Sequence, residues 1–133
     1  YSTRVDFIVP PERVAKRLSH WQHIVTSACE QSGRVRIPNV NAPTSLTNWV
    51  SETVADVKLV LHCDVHSAPL LAAKPQSVAL LIGPEGGLTD EEVATAERHH
   101  FQPWQLGPRI LRTETAPVVA LSVIGAQWGD MAQ

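Results

Sequence analysis

The feature of the sequence that most restricts its fold is an apolar run that ends in a glycine-rich loop and leads directly into a helix start. Residues 78–82, Val-Ala-Leu-Leu-Ile, predict a buried strand. The loop Gly83-Pro84-Glu85-Gly86-Gly87 follows, and Thr89 with Glu92 three residues later has the pattern of a capping box. A buried strand, a loop and a helix in this order are typical of α/β proteins, so we expect an α/β fold.

Other patterns along the chain predict the remaining elements. Apolar residues at alternating spacings of four and three (Val14, Leu18, Trp21, Val25 and Ala28) predict a first helix that ends at Gly33. The predicted strands are apolar almost throughout, which is typical of a parallel sheet with helices on both faces. The predicted helices span residues 12–31, 45–54, 90–100 and 114–128, and the predicted strands span residues 57–62, 78–82 and 104–106.

Composition excludes several classes of protein. No apolar run approaches the ~20 residues of a membrane span, and Cys29 and Cys63 lack the paired spacing of a zinc site or a disulfide framework. The formal net charge is -2, whereas nucleic-acid-binding proteins usually carry a basic face, so charge alone does not indicate RNA. We expect one cytoplasmic domain with no membrane contact.

The loop at residues 83–87 is the strongest candidate for a binding site. Its three glycines let backbone N–H and C=O groups approach a ligand without interference from Cβ atoms. Ligands of open α/β sheets bind outside the carboxyl ends of the strands, where this loop lies. The loop lacks the ending of a phosphate loop, and Glu85 suits a cationic or hydroxyl-bearing ligand such as S-adenosylmethionine. The alternative is a tight strand-to-helix turn that binds nothing.

The second candidate is the long loop after the last predicted strand. It combines apolar Ile110 and Leu111 with Arg109, Arg112 and Glu114, and it leads directly into a helix. Its backbone could hydrogen-bond an adenine edge while the apolar side chains supply walls. The alternative is a capped helix start with an Arg–Glu ion pair.

Histidines give weaker signals. His62 follows Leu61 at the end of a predicted strand and opens toward the same edge of the sheet, with a purely structural histidine as the alternative. His20 and His23 lie three residues apart on the first helix, but no third ligand is in view. We therefore expect no metal.

Two motifs resemble a known family. Gly-Pro-Glu-Gly-Gly-Leu at residues 83–88, followed by Leu-Gly-Pro-Arg-Ile-Leu-Arg-Thr-Glu-Thr-Ala at residues 106–116, resembles the paired signature of the SPOUT ribosomal RNA methyltransferases. Trp-Gln-His-Ile at residues 21–24, Ala-Cys-Glu-Gln-Ser-Gly-Arg at residues 28–34 and Pro38 are similar to the family that methylates N3 of a uridine in small-subunit (16S) ribosomal RNA. The resemblance runs from about residue 12 to residue 129.

The resemblance implies a deep C-terminal trefoil knot, a homodimer, the cofactor S-adenosylmethionine, and 16S rRNA or the small ribosomal subunit as partner. It also implies that residues 1–133 form the SPOUT domain without its first strand and helix, and without the family's N-terminal PUA-like RNA-binding barrel. The implied cofactor-binding residues lie in three strand-end loops. They are Leu61, His62, Ile82, Gly83, Pro84, Glu85, Gly86, Gly87, Leu106, Gly107, Ile110, Leu111, Arg112, Thr115 and Ala116.

The implied activity is methyl transfer to uridine N3, whose proton must leave. Arg34 and Arg112 are candidates to stabilise the anion that forms on the uracil ring, and Glu114 is a candidate to orient an arginine or accept the proton. The alternatives are a surface or phosphate-binding role for Arg34 and a favourable helix N-terminal charge for Glu114. Three alternatives remain for the whole chain: cofactor binding without methyl transfer in this shortened form, methylation of another RNA, and a dimerisation domain that binds no cofactor.

Overall fold

A computed structural model describes residues 10–63 and 73–131 of the chain. The described residues belong to two units, the first containing residues 10–44 and the second residues 45–63 and 73–131. The order of elements is helix, helix, strand, strand, helix, strand, helix, as predicted. Among the helices described, none is both long enough and apolar enough to cross a membrane.

The first unit contains helix α1, Pro11–Ser32. Pro11 opens the helix, where its missing N–H leaves no bond unmade. The predicted apolar stripe is half-buried through Val25, but Ala28 is exposed and Cys29 is buried in its place. The prediction that Ala28 is on the buried face was wrong. Ala28 and Cys29 lie about equally far from the centre of the stripe, on opposite sides of it, so the spacing does not distinguish them.

The segment after α1 is fixed to the helix at both ends. Gly33 ends the helix with φ 71°, and the next amide, Arg34 N, donates to Cys29 O at 2.9 Å. Further along, the Gln22 side chain donates to Pro38 O and accepts from Val40 N, each at 2.9 Å. The backbone of residues 38–40 is thereby bound to α1 by one amide side chain.

The second unit is built on a parallel sheet of three strands in the order β2-β1-β3. They are β1, Val57–Leu61; β2, Val78–Leu81; and β3, Gln102–Trp104. Strand β3 lies two residues earlier than predicted, and Pro103 pairs with Val60 within it. Proline has no N–H to donate, so it is tolerated in a strand at the edge of a sheet, and β3 is an edge strand of the sheet described here.

Helices pack on both faces of this sheet. They are α2, Leu46–Glu52; α3, Asp90–Arg98; and α4, Ala116–Trp128. Neighbouring strand residues point to opposite faces: Val60 packs in a cluster with residues of α2 and α3, whereas Leu59 packs in a second cluster with Ala120 of α4. The predicted capping box is confirmed, because Thr89 Oγ1 accepts from Glu92 N and Glu92 Oε2 accepts from Thr89 N.

Candidate cofactor-binding site

The three strands are parallel, so their carboxyl ends meet at one edge of the sheet. The chain that follows β1 begins with His62, the chain that follows β2 is the glycine loop, and the chain that follows β3 is the long loop toward α4. Three segments distant in sequence are thereby brought together. This is the edge at which α/β sheets bind their ligands.

The glycine loop is tightly closed by its own backbone. Gly87 N donates to Pro84 O at 2.8 Å, and Gly87 has φ 72°, which a side chain would disfavour. A Cβ atom at Gly83 would lie 2.9 Å from the amide nitrogen of Leu88. Leu88 is buried in the cluster beneath α3, so the backbone here cannot easily give way. The loop therefore needs glycine for its own close packing.

The ends of β1 and β3 are tied to each other. His62 N donates to Trp104 O at 3.1 Å and extends the pairing of the two strands by one residue. The Gln105 side chain then donates from Nε2 to Cys63 O at 3.0 Å. The half-buried His62 and the segment that begins the long loop are held side by side as a result.

The start of α4 is formed by backbone hydrogen bonds. Arg112 O accepts from both Thr115 N and Ala116 N at 2.9 Å, and the helix has no side-chain cap. Pro117 lies in the first turn, as predicted. Within residues 10–63 and 73–131, Arg112 and Glu114 form no ion pair with each other, so the alternative of an Arg–Glu pair gains no support.

These segments surround a cavity of about 730 Å³. All of the predicted cofactor-binding residues line it except Thr115, whose amide is bonded to Arg112 O. Of the predicted catalytic residues, Arg112 and Glu114 line the cavity, whereas Arg34 belongs to the first unit. The lining residues are Leu61, His62, Cys63, Ile82, Gly83, Pro84, Glu85, Gly86, Gly87, Leu88, Asp90, Trp104, Gln105, Leu106, Gly107, Arg109, Ile110, Leu111, Arg112, Thr113, Glu114 and Ala116.

Several lining residues were not predicted. Asp90 begins α3, and its acidic side chain in the first turn was interpreted only as part of a helix start. Cys63 and Gln105 join the lining because the ends of β1 and β3 are neighbours. The position of Cys63 beside Gln105 depends on the order of the strands, which no local pattern in the sequence reveals.

The cavity combines charged groups with apolar walls. Glu85, Asp90 and Glu114 supply carboxylates, and Arg109 and Arg112 supply guanidinium groups. The volume lies within the roughly 300–1,000 Å³ of typical small-molecule sites. Within the described parts of the chain, no group of three or more His, Cys, Asp or Glu residues is placed to hold a metal ion. The cavity therefore offers an organic ligand apolar walls together with groups of both charges.

Known proteins are similar to this chain in sequence and in fold. Residues 2–125 match the family model of the RNA methyltransferase domain. The ribosomal RNA small subunit methyltransferase E of Synechocystis sp. is 43% identical over 117 residues, which are 83% of this chain and 39% of that protein. The protein of the same name from Mycobacterium bovis is 40% identical over 120 residues, covering 85% of this chain and 46% of the relative. The chain thus spans about half or less of the length of these relatives.

Two solved structures are also similar to this chain, both in fold and in sequence. A Legionella pneumophila protein in complex with the cofactor SAM has a TM-score of 0.89 and 42% identity, covering 94% of this chain and 52% of its own. The ribosomal RNA small subunit methyltransferase E of Neisseria gonorrhoeae, bound to S-adenosyl methionine, has a TM-score of 0.85 and 38% identity, covering 95% of this chain and 53% of its own.

Proposed function

Because the chain belongs to the RNA methyltransferase domain family, we propose that it binds S-adenosylmethionine and acts in the methylation of N3 of a uridine in small-subunit ribosomal RNA. The observation that carries the proposal is the convergence of three strand-end loops on one cavity, since both long family motifs contribute to its lining. Two similar structures were solved with this cofactor bound, and the relatives are named for the small-subunit RNA.

The residues present fit the cofactor. The half-buried side chains of Leu61, Ile82 and Leu111 offer apolar walls for an adenine ring. The glycine loop exposes backbone groups, and its tight packing leaves no room for a Cβ atom at Gly83. The carboxylate of Glu85 favours a ligand with positive charge. Bound there, S-adenosylmethionine supplies a methyl group activated by the positive charge on its sulfur.

The residues of the chain then have two tasks in the proposed reaction. The cavity walls hold the reacting atoms in line, an effect that can be worth several kcal/mol. As N3 of uridine gains the methyl group it loses its proton, and Glu114 accepts that proton or orients an arginine. Arg112, at the cavity, stabilises the negative charge on the uracil oxygens. Arg34 is the second candidate for that role.

The test is calorimetric titration with S-adenosylmethionine, followed by methyl transfer to small ribosomal subunits that lack the modification. We expect saturable binding and 3-methyluridine in the digested RNA. Gly86→Trp fills the cavity and should abolish binding, whereas Glu97→Trp, on the exposed side of α3, should not. Binding without methyl transfer would favour a binding module, and a different methylated nucleoside would favour another target.

A homodimer is also part of the proposal. Helix α4 contains no charged residue, and Val118 and Leu121, three residues apart, are 64% and 60% exposed. Apolar side chains on one side of an uncharged helix suit a second copy of the chain. Light scattering should give twice the mass of the chain, and Leu121→Glu should give the monomer mass. A monomeric wild-type chain would contradict the dimer.

The remaining parts of the proposal are the C-terminal trefoil knot of SPOUT enzymes and a cytoplasmic location, where ribosomal subunits are assembled. The knot is supported by the motif at residues 106–116 and by membership of the family. A crystal structure in which the chain after β3 passes through no earlier loop would contradict it.

A further inference from the structure

The charges of the chain are unequally divided between the two units. Residues 10–44 contain five basic and two acidic residues. The described residues from 45 onward contain five basic and nine acidic residues. Although the net charge of the whole chain is -2, residues 10–44 therefore carry an excess of positive charge. The five basic residues are Arg13, Lys16, Arg17, Arg34 and Arg36. We call these five residues, three near the start of α1 and two after its end, the basic surface.

Three of these cations lie on one side of α1. Arg13, Lys16 and Arg17 have spacings of three and four, which bring side chains together on a helix. Arg13 and Lys16 are exposed and Arg17 is half-buried. Glu12 precedes Lys16 by four residues, so one acidic side chain shares this part of the helix, and the three cations outnumber it. The cations near the start of α1 are therefore close to one another, and the positive end of the helix dipole adds to their potential.

The other two cations lie on the short segment after α1. Arg34 and Arg36 are exposed, and the side chain of Val35 between them is 98% exposed. The Gly33 cap fixes the start of this segment and the Gln22 side chain fixes its end at residues 38–40. Arg34 Nε donates to Arg36 O at 3.1 Å, which uses one of the five N–H donors of its guanidinium group. The two cations are thus held by a preorganised backbone.

We propose that the basic surface binds the phosphate backbone of RNA. The inference rests on the proposed function, because it assigns a docking surface for the RNA substrate to the first unit. Phosphate contacts from Lys and Arg supply most of the sequence-independent affinity for nucleic acids. The second unit, which has more acidic than basic residues among those described, contributes a cofactor cavity, and the first unit contributes the attraction for a polyanion.

The test is fluorescence anisotropy with a labelled 20-nucleotide polyuridine RNA between 50 and 200 mM salt. Arg13→Gln/Lys16→Gln removes two charges from the basic surface. Lys74→Gln/Arg98→Gln removes two exposed charges from the second unit and is the matched control. We expect the first variant to bind about tenfold more weakly and its slope of log affinity against log salt to fall by about 1.4, with less than about twofold change in the control.

Equal losses in the two variants, or no loss in the first, would overturn the inference, as would a wild-type chain without salt-dependent RNA binding. Titration with S-adenosylmethionine separates this result from the proposed function. A wild-type chain that binds the cofactor while the first variant keeps its RNA affinity would contradict the docking surface alone. A wild-type chain that binds RNA through the basic surface but does not bind the cofactor would contradict the proposed function alone.

Discussion

The two units differ in how their residues serve binding. Residues 45–63 and 73–131 contain a three-stranded sheet with two apolar clusters, and the cavity lies where loops from all three strands meet. Residues 10–44 contain a 22-residue helix in which only Cys29 is buried, and they carry exposed cations. The first arrangement creates a shaped site from residues distant in sequence, whereas the second creates a charged surface from neighbours in sequence. Changes to packing should therefore affect the cavity unit most.

The largest effect is expected from Leu59→Ala in the second unit. Leu59 is 2% exposed and packs with Trp104 and Ala120, so its truncation leaves a void on one face of the sheet. We expect the free energy of unfolding to fall by about 3 kcal/mol. Cys29→Ala, the counterpart in the first unit, should cost about 1 kcal/mol. Urea unfolding measures both, and an equal loss would contradict the difference in packing.

Two glycine substitutions sharpen the comparison. Gly83→Ala forces a Cβ atom toward the Leu88 backbone and should cost about 2 kcal/mol. It should also weaken cofactor binding, because the loop must shift. Gly33→Ala meets nothing within 4 Å, but its φ of 71° disfavours a side chain, so we expect about 1 kcal/mol and unchanged cofactor binding. Thermal unfolding and calorimetry measure these effects; cofactor affinity that survives Gly83→Ala would argue against the glycine loop as a binding element.

A smaller effect is expected when the Gln22 side chain no longer binds the segment after α1. Gln22→Leu eliminates the hydrogen bonds to Pro38 O and Val40 N. The loss should be about 1 kcal/mol, visible as faster hydrogen exchange at Val40, with about twofold weaker binding of the polyuridine probe. Gln31→Leu, at an exposed position of the same helix, is the control. Unchanged exchange at Val40 would show that the Gln22 side chain does not hold the segment.

The smallest effect concerns charge in the cavity. Glu85→Gln removes a carboxylate from an exposed position of the lining. The preference for S-adenosylmethionine over S-adenosylhomocysteine, whose sulfur carries no positive charge, should therefore fall by about threefold. Glu91→Gln, on α3 outside the cavity, should leave the preference unchanged. Competition calorimetry measures the ratio. An unchanged ratio in Glu85→Gln would mean that this carboxylate does not face the cationic centre.

Local features were predictable from the sequence to the extent that neighbouring residues determine them. The strand at Val78–Leu81, the capping box of Thr89 and the helix from Asp90 depend on short patterns, and the structure confirms them. The Gly33 helix end is confirmed for the same reason. The strand predicted at residues 104–106 was misplaced, since tolerance of Pro103 depends on the position of β3 at an edge.

Assembly of the cavity could not be predicted from local patterns. Strand β1 lies between β2 and β3, an order that follows neither the sequence nor any periodicity. The two long motifs predicted that the glycine loop and the loop after β3 belong to the site, and both line the cavity. Only the pairing of β1 with β3 explains why Cys63 and Gln105 also line the cavity.

The strand order has a consequence for biosynthesis. The cavity needs His62 after β1 and Arg112 near the end of the long loop, which are about 50 residues apart. At roughly 5–20 residues per second, the ribosome needs about 3–10 seconds to synthesise that interval. During this time β1, which is central in the described sheet, has been made but its neighbour β3 has not. The apolar residues Leu59 and Val60 therefore lack part of the clusters in which they are buried. A nascent chain arrested before residue 102 should therefore be bound by chaperones at β1.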